Sequence, residues 1–208
     1  MFDIGVTTRV ALDRFERDGD PIAGSADPQK AGNGSLMRLA PVAIWGVGAG
    51  VEAMRVVARR QSETTHAAEQ CPDACEGYAL ILHAAIGGAR FDEAVTAAAG
   101  VGSDPIASIL AFGWRDKPRG AIRSSGYVAH SLEAALWCVE QASDFREAVL
   151  IAANLGDDAD TTAAIAGQLA GALHGVSGIP AEWRAKLAWG PHIGGLARAL
   201  LARVSQAG

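Results

Sequence analysis

Apolar residues recur three and four apart along most of this chain, and no run shows convincing apolar–polar alternation. That pattern predicts amphipathic helices rather than half-buried strands. A first helix is expected over residues 6–17, with Val6, Val10, Leu12 and Phe15 facing inward and Gly19 and Pro21 ending it. Further helices are expected over 51–61, 67–85, 91–99, 130–141, 145–152, 181–187 and 193–204. Arg55, Arg59 and Arg60 mark a solvated face on 51–61, and Gly87-Gly88 breaks the helix that starts near 67. Leu132, Ala135, Leu136 and Val139 keep helical register in 130–141. A weaker segment holding Ile109, Phe112 and Trp114 lies between loops at 100–104 and 117–120.

The longest uncharged stretch, 161–181, is built of Ala and Gly more than Leu or Ile and carries Gln168, His174, Ser177 and Pro180. It is long enough to span a membrane but too weakly hydrophobic, so a buried central helix is expected there. Gly167, Gly171 and Gly175 stand four apart, which leaves one helix face nearly bare for another helix to approach.

Composition agrees with this pattern. The 208 residues suffice for one core and one domain spanning 1–208. Half are hydrophobic but only 6% are aromatic, which favours closely packed helices over a β-sandwich. The reading is all-α, with about ten helices joined by short loops. A net charge of −5 without a basic stripe argues against nucleic acid as a partner. Asp3, Arg9 and Asp13 interrupt any leading apolar run, so no signal peptide and a cytoplasmic location are expected. Cys71, Cys75 and Cys138 read as reduced, buried thiols, because no second Cys/His pair completes a zinc site.

The chemistry concentrates in Asn154-Leu155-Gly156-Asp157-Asp158-Ala159-Asp160-Thr161-Thr162. Three carboxylates within four residues repel one another, and a cation is their natural partner. Asp and Thr offer only oxygen, which suits a hard ion such as Mg2+. The cluster sits where a helix begins, so simple N-capping is an equal alternative. A second stretch, Gly32-Asn33-Gly34-Ser35-Leu36-Met37-Arg38, is a Gly-rich loop followed by residues that look helical, a ready arrangement for phosphate. His66 follows Thr64-Thr65 in a polar loop, and Ser124-Ser125-Gly126-Tyr127 precedes the helix over 130–141. Tyr127 can stack on a base or pack in the core.

Taken in order, Gly-Asn-Gly-Ser-Leu-Met-Arg with Ala40-Pro41, Ser-Gly-Tyr-Val before an Ala-Leu-Trp helix, and Asn-Leu-Gly-Asp-Asp-Ala-Asp-Thr-Thr-Ala resemble the ADP-ribosylglycohydrolase family, which includes dinitrogenase-reductase-activating enzymes. The likeness runs from Phe2 nearly to the C-terminus. It implies a compact orthogonal helical bundle with an ADP-ribose cleft and a two-Mg2+ centre. Asp158, Asp160 and Thr161 match metal ligands of the family's C-terminal motif, and one of the two carboxylates is the candidate to help deprotonate water. Asn33, Gly34, Ser35 and Met37 match the loop beside the diphosphate and distal ribose, with His66 near the same ligand. Ser125, Gly126 and Tyr127 match the loop facing the adenosine. The implied reaction is hydrolysis of the bond between ADP-ribose and an acceptor such as a protein arginine, through an oxocarbenium-like transition state. The alternatives are a catalytically impaired ADP-ribose binder and a structural relative.

The family's upstream Gly-Asp-Ala segment and its Thr-Asp-Asp-Thr motif have no counterpart in this chain. About half of the metal site is therefore expected here, in an N-terminally truncated version of the fold, and apolar faces are expected to lie exposed.

Overall fold

The computed structural model describes residues 4–202. Its α-helices are α1 (Val6–Asp18), α2 (Ala40–Ala49), α3 (Val51–Glu63), α4 (Gln70–Ile86), α5 (Phe91–Thr96), α6 (Ile106–Leu110), α7 (Val128–Gln141), α8 (Phe145–Ala153), α9 (Ala159–Gly178), α10 (Ala181–Lys186) and α11 (Gly190–Ala202). Among the described residues there is no β-strand. Two isolated bridges occur, Ser25 with His66 and Gly32 with Tyr127. No described helix is long and apolar enough to cross a membrane.

The hub is α4, not the 161–181 stretch expected to be central. α2, α3, α5, α6, α7 and α9 all pack on α4. Its buried positions go around the whole helix, from Cys71, Ala74 and Cys75 to Tyr78, Ile81 and Leu82. Small side chains at Ala74, Gly77 and Ala79 let neighbours come close, and a Cβ on Gly77 would lie 2.4 Å from Leu110 Cδ1. Tyr78 donates a hydrogen bond to Ile165 O at 2.6 Å and ties α4 to α9. The carboxylates of Asp73 and Glu76 are buried on the α3 side of α4. Arg59 contacts Asp73 at 2.7 Å and Glu76 at 2.8 Å, and Arg55 contacts Glu76 at 2.7 Å. Arg55 and Arg59 therefore bridge two helices instead of forming the solvated face expected of them. Desolvated carboxylates need such partners, and α3 is the element that can supply them.

α9 buries only its first half, through Thr162, Ile165, Ala166, Leu169 and Ala170. The close helix approach expected on its glycines is made by α8. A Cβ would meet Val149 at 3.7 Å from Gly167 and Phe145 at 3.8 Å from Gly171. Gly175 packs on nothing and instead takes φ 69°, where the helix kinks.

α1 departs from expectation. Gly19 closes it with φ 71° as predicted, but only Ala11 is buried. Val6 is 68% exposed, and Val10, Leu12 and Phe15 are exposed too, because among the described residues no helix packs broadly on that face. Apolar surface is also exposed at Trp189, Ile193, Leu196 and Leu201 on and before α11, which packs on α2. The expected last helix is α11, and its projected end at 203–204 lies outside the described residues.

Candidate functional site

Three loops meet at one end of the bundle, and backbone hydrogen bonds stitch them together. Asn33 N–H donates to Gly126 O at 3.1 Å, Val128 N–H to Ala31 O at 3.0 Å, and Asp158 N–H to Ser124 O at 2.8 Å. The Gly-Asn-Gly loop, the Ser-Gly-Tyr loop and the start of α9 thus form one floor. Gly156 (φ 90°) and Asp157 (φ 49°) make the turn into α9, a conformation that Gly adopts freely and Asp tolerates. That turn leaves the exposed Asp157 outside the cleft and brings Asp158 and Asp160 into it. Of the three carboxylates in the sequence cluster, two belong to the site.

The cleft is about 510 Å3 and is lined by Gly32, Asn33, Gly34, Met37, His66, Asp158, Asp160 and Thr161. Residues 4–8, at the start of α1, close one side. A smaller recess of about 240 Å3 adjoins it, sharing Gly32 and Thr7, and is lined by Gly126, Tyr127 and residues 28–31.

Asp158 is held at both oxygens. Asn33 Nδ2 donates to Oδ2 at 2.6 Å, and Thr161 Oγ1 donates to Oδ1 at 2.9 Å. Asn33 Nδ2 also donates to Ser131 Oγ at 2.8 Å, and Ser131 in turn donates to Ser125 O at 3.0 Å. Asn33 is only 8% exposed, so its amide is fixed. Asp158 occupies the N-cap position of α9 without capping it by its side chain, which answers the capping alternative. The Asp160 carboxylate makes no hydrogen bond or ion pair with another described residue and is exposed.

His66 is buried, at 3% exposure, rather than lying free in a polar loop. Its backbone is fastened to Ser62 through N–H to Ser62 O at 2.7 Å and from Ser62 Oγ to His66 O at 2.8 Å. Its ring crosses under the Gly-Asn-Gly loop so closely that a Cβ on Gly34 would lie 2.7 Å from Cε1. Burial, helped by the positive charge of Arg38, pushes the imidazole pKa down to about 4, so the ring is neutral at pH 7.

Two expected residues sit elsewhere. Ser35 has no exposed surface, and its hydroxyl is paired with Ser62 Oγ at 2.8 Å in the core, where Ser62 already donates to His66 O. Ser125 Oγ is engaged with His130 Nδ1 at 2.7 Å. Tyr127 lines the recess, with its hydroxyl bonded to Gln70 Oε1 at 2.8 Å and its ring edge-on to His130. The phosphate argument from a helix N-terminus also changes. Residues after Gly34 form turns, and α2 starts only at Ala40, so no helix dipole points from that loop into the cleft. The loop still offers the N–H of Gly34, which has no acceptor among the described residues. Sequence reasoning missed Ser131, Ser124 and Gln168. The last clamps the loop from α9 by donating to Leu36 O and Met37 O. Ser131 and Gln168 stand in no recognisable pattern, and Ser124 lies in the Ser-Ser-Gly-Tyr stretch without a role legible there.

The acidic start of α9, facing a Gly-Asn-Gly loop across a cleft at one end of an all-helical bundle, defines a candidate ligand site. A family model described as ADP-ribosylglycohydrolase matches residues 1–208, and the chain belongs to that family. It is 48% identical over 205 residues to ADP-ribosylarginine hydrolase Tri1 of Pseudomonas putida (strain GB-1), covering 99% of this chain and 55% of that protein. It is 30% identical over 188 residues to the ADP-ribosyl-(dinitrogen reductase) glycohydrolase of Rhodospirillum rubrum, covering 89% of this chain and 60% of that one. A solved structure titled ADP-ribosylglycohydrolase-related protein complex superposes with a TM-score of 0.86 at 36% identity, over 97% of this chain and 70% of its own. The chain thus spans little more than half the length of these curated relatives.

Proposed function

We propose that this protein takes part in hydrolysing the glycosidic bond between ADP-ribose and an arginine side chain of a modified protein. The observation that carries the reading is the cleft itself: Asn33, Gly34 and His66 on one wall face Asp158, Asp160 and Thr161 on the other. The names of the relatives supply the substrate class.

The donor set at the start of α9 fits one hard cation. Asp158, Asp160 and Thr161 offer oxygen only, and Mg2+ is commonly held by one or two carboxylates while keeping waters and substrate oxygens. Among the described residues no group of three or more His, Cys, Asp or Glu converges, so this chain's own ligands suffice for a partial site. When bound there, Mg2+ would supply charge that orients ribose hydroxyls and a water near the anomeric carbon.

The chain's own groups have separable tasks. Asp158 is locked by Asn33 and Thr161, so it orients; it is poorly placed to move as a base. Asp160 has no competing partner and can accept a proton from the attacking water. The Gly34 N–H and the neutral His66 ring suit the oxygens of the diphosphate and distal ribose. The recess beneath Tyr127 suits the adenosine.

The experiment is release of ADP-ribose from ADP-ribosyl-arginine by the 208-residue chain, with Mg2+ and with a chelator. Mg2+-dependent turnover lost in Asp160→Asn is expected. The small number of carboxylates favours a second reading, a binder without turnover. Saturable ADP-ribose binding with no product at high enzyme would select it, and binding of neither ligand nor metal would sink both.

A further inference from the structure

Arg38 does not line the cleft; the residue is exposed, but one edge of its guanidinium, Nε and Nη2, is turned onto the end of α3. Nη2 donates to Gln61 O at 2.7 Å, to Thr65 Oγ1 at 2.8 Å and to Thr64 Oγ1 at 3.2 Å. Nε donates to Gln61 Oε1 at 3.1 Å. Among the described residues no carboxylate pairs with it, so a structural ion pair does not account for it.

The contact with Thr65 has a consequence one bond further on. Thr65 Oγ1 lies 2.7 Å from His66 Nδ1, and the direction of that bond depends on which nitrogen carries the proton. Guanidinium groups only donate, so Arg38 occupies an acceptor site on the Thr65 hydroxyl. If Nδ1–H also donated to it, the buried hydroxyl would accept twice and its own hydrogen would have no acceptor among the described residues. Leaving such a donor without an acceptor away from water is unfavourable. The satisfied arrangement runs the other way: Arg38 donates to Thr65, and Thr65 donates to Nδ1. Polarisation by the guanidinium makes the hydroxyl a better donor in that direction. Turning the ring over would put a carbon against the hydroxyl, and the close packing of Gly34 on the ring opposes that motion.

We propose that Arg38 is a positioning residue which, through Thr65, fixes the tautomer of His66 with its proton on Nε2, so that a neutral imidazole presents one hydrogen-bond donor to the cleft. The group it recognises is an oxygen acceptor, a ribose hydroxyl or a phosphate oxygen. Only the name of the ligand rests on the proposed function; the tautomer rests on hydrogen-bond geometry.

The test is long-range 1H–15N spectroscopy of the full chain labelled in histidine, with the His66 ring identified by its loss in His66→Gln. Wild type is expected to show Nε2 protonated and Nδ1 bare. Thr65→Val and Arg38→Met are expected to give a mixture of tautomers, and Thr65→Ser to keep the wild-type pattern. Where Arg38→Met does not fold, Arg38→Gln, too short to reach Thr65, replaces it. ADP-ribose affinity is expected to fall roughly two- to ten-fold in Thr65→Val and to recover in Thr65→Ser. A proton on Nδ1 in wild type, or an unchanged ring in folded Thr65→Val or Arg38 variants, overturns the proposal. Absence of ADP-ribose binding in wild type overturns the proposed function alone, because the ring spectra need no ligand.

Discussion

Asn33 and Asp158, 125 positions apart, share a hydrogen bond of 2.6 Å, and that contact joins the two halves of the cleft. Asn33 reaches Ser131 with the same amide nitrogen, so one side chain organises all three loops. Asn33→Ala should leave Asp158 and the buried Ser131 hydroxyl short of a donor. We expect a stability loss of about 1–3 kcal/mol in denaturant titration and markedly weaker ADP-ribose binding by calorimetry. Unchanged affinity in a folded Asn33→Ala protein would remove this contact from the site.

Asp160 offers a cleaner separation of function from stability. Its carboxylate is exposed and has no partner among the described residues, so Asp160→Asn should change stability by less than about 0.5 kcal/mol. The same change should abolish any gain in ADP-ribose affinity on adding Mg2+. Retention of the full Mg2+ effect would show that the cation sits away from the start of α9.

His66 makes stability depend on pH in a defined window. Its folded pKa lies near 4, below the ordinary 6.5, so the unfolded chain binds the proton first as pH falls. The stabilisation is complete above about pH 6.5 and is lost progressively from there down to about pH 4. Thermal melts of wild type and His66→Gln across pH 7.5 to 4 should diverge, with the variant showing the shallower fall. Parallel curves in the two proteins would contradict the assignment.

The cysteines should be inert in the native state. Burial pushes Cys71 and Cys138 up to about 12, and it raises Cys75 as well. A thiol-reactive dye at pH 8 should label none of the three quickly in the folded protein and all three in guanidinium chloride. Fast labelling of one thiol in native buffer would mean that α4 or α7 opens locally.

Gly34→Ala tests how tightly the loop rests on His66. The added methyl would sit 2.7 Å from ring carbon Cε1, and the backbone on both sides is held. The ring must shift, so ADP-ribose affinity should drop while the melting temperature changes less than in Asn33→Ala. An Ala variant that binds as tightly as wild type would show the cleft to be more yielding than its contacts imply.

Much of this protein follows from local sequence. Helical spacing of apolar residues marks α3 and α7, and long apolar or uncharged runs mark α4 and α9. Gly19 and Gly87-Gly88 mark helix ends for the same local reason, backbone freedom. Asn33 and Asp158 stand out within Gly-rich and oxygen-rich clusters, whereas His66 stands out only through the resemblance to the family.

What tertiary structure decided concerns pairs of residues far apart in the chain. Periodicity gives a helix a buried face without naming its partner. A long uncharged composition suggested a central helix at 161–181, whereas α4 is the hub, and periodicity turned Val6, Val10 and Phe15 inward although among the described residues no helix packs broadly on them. Charge alone left Arg59 in solvent, while the buried Asp73 and Glu76 draw it onto α4. Ser35 and Asp157 lie inside their motifs yet miss the cleft, because a turn of positive φ or one step along a loop reverses a side chain. Ser131 carries no pattern and becomes part of the site only when α7 sets its hydroxyl against Asn33. Local propensity acts over a few residues, whereas a binding cleft is made where distant segments must satisfy one another's polar groups.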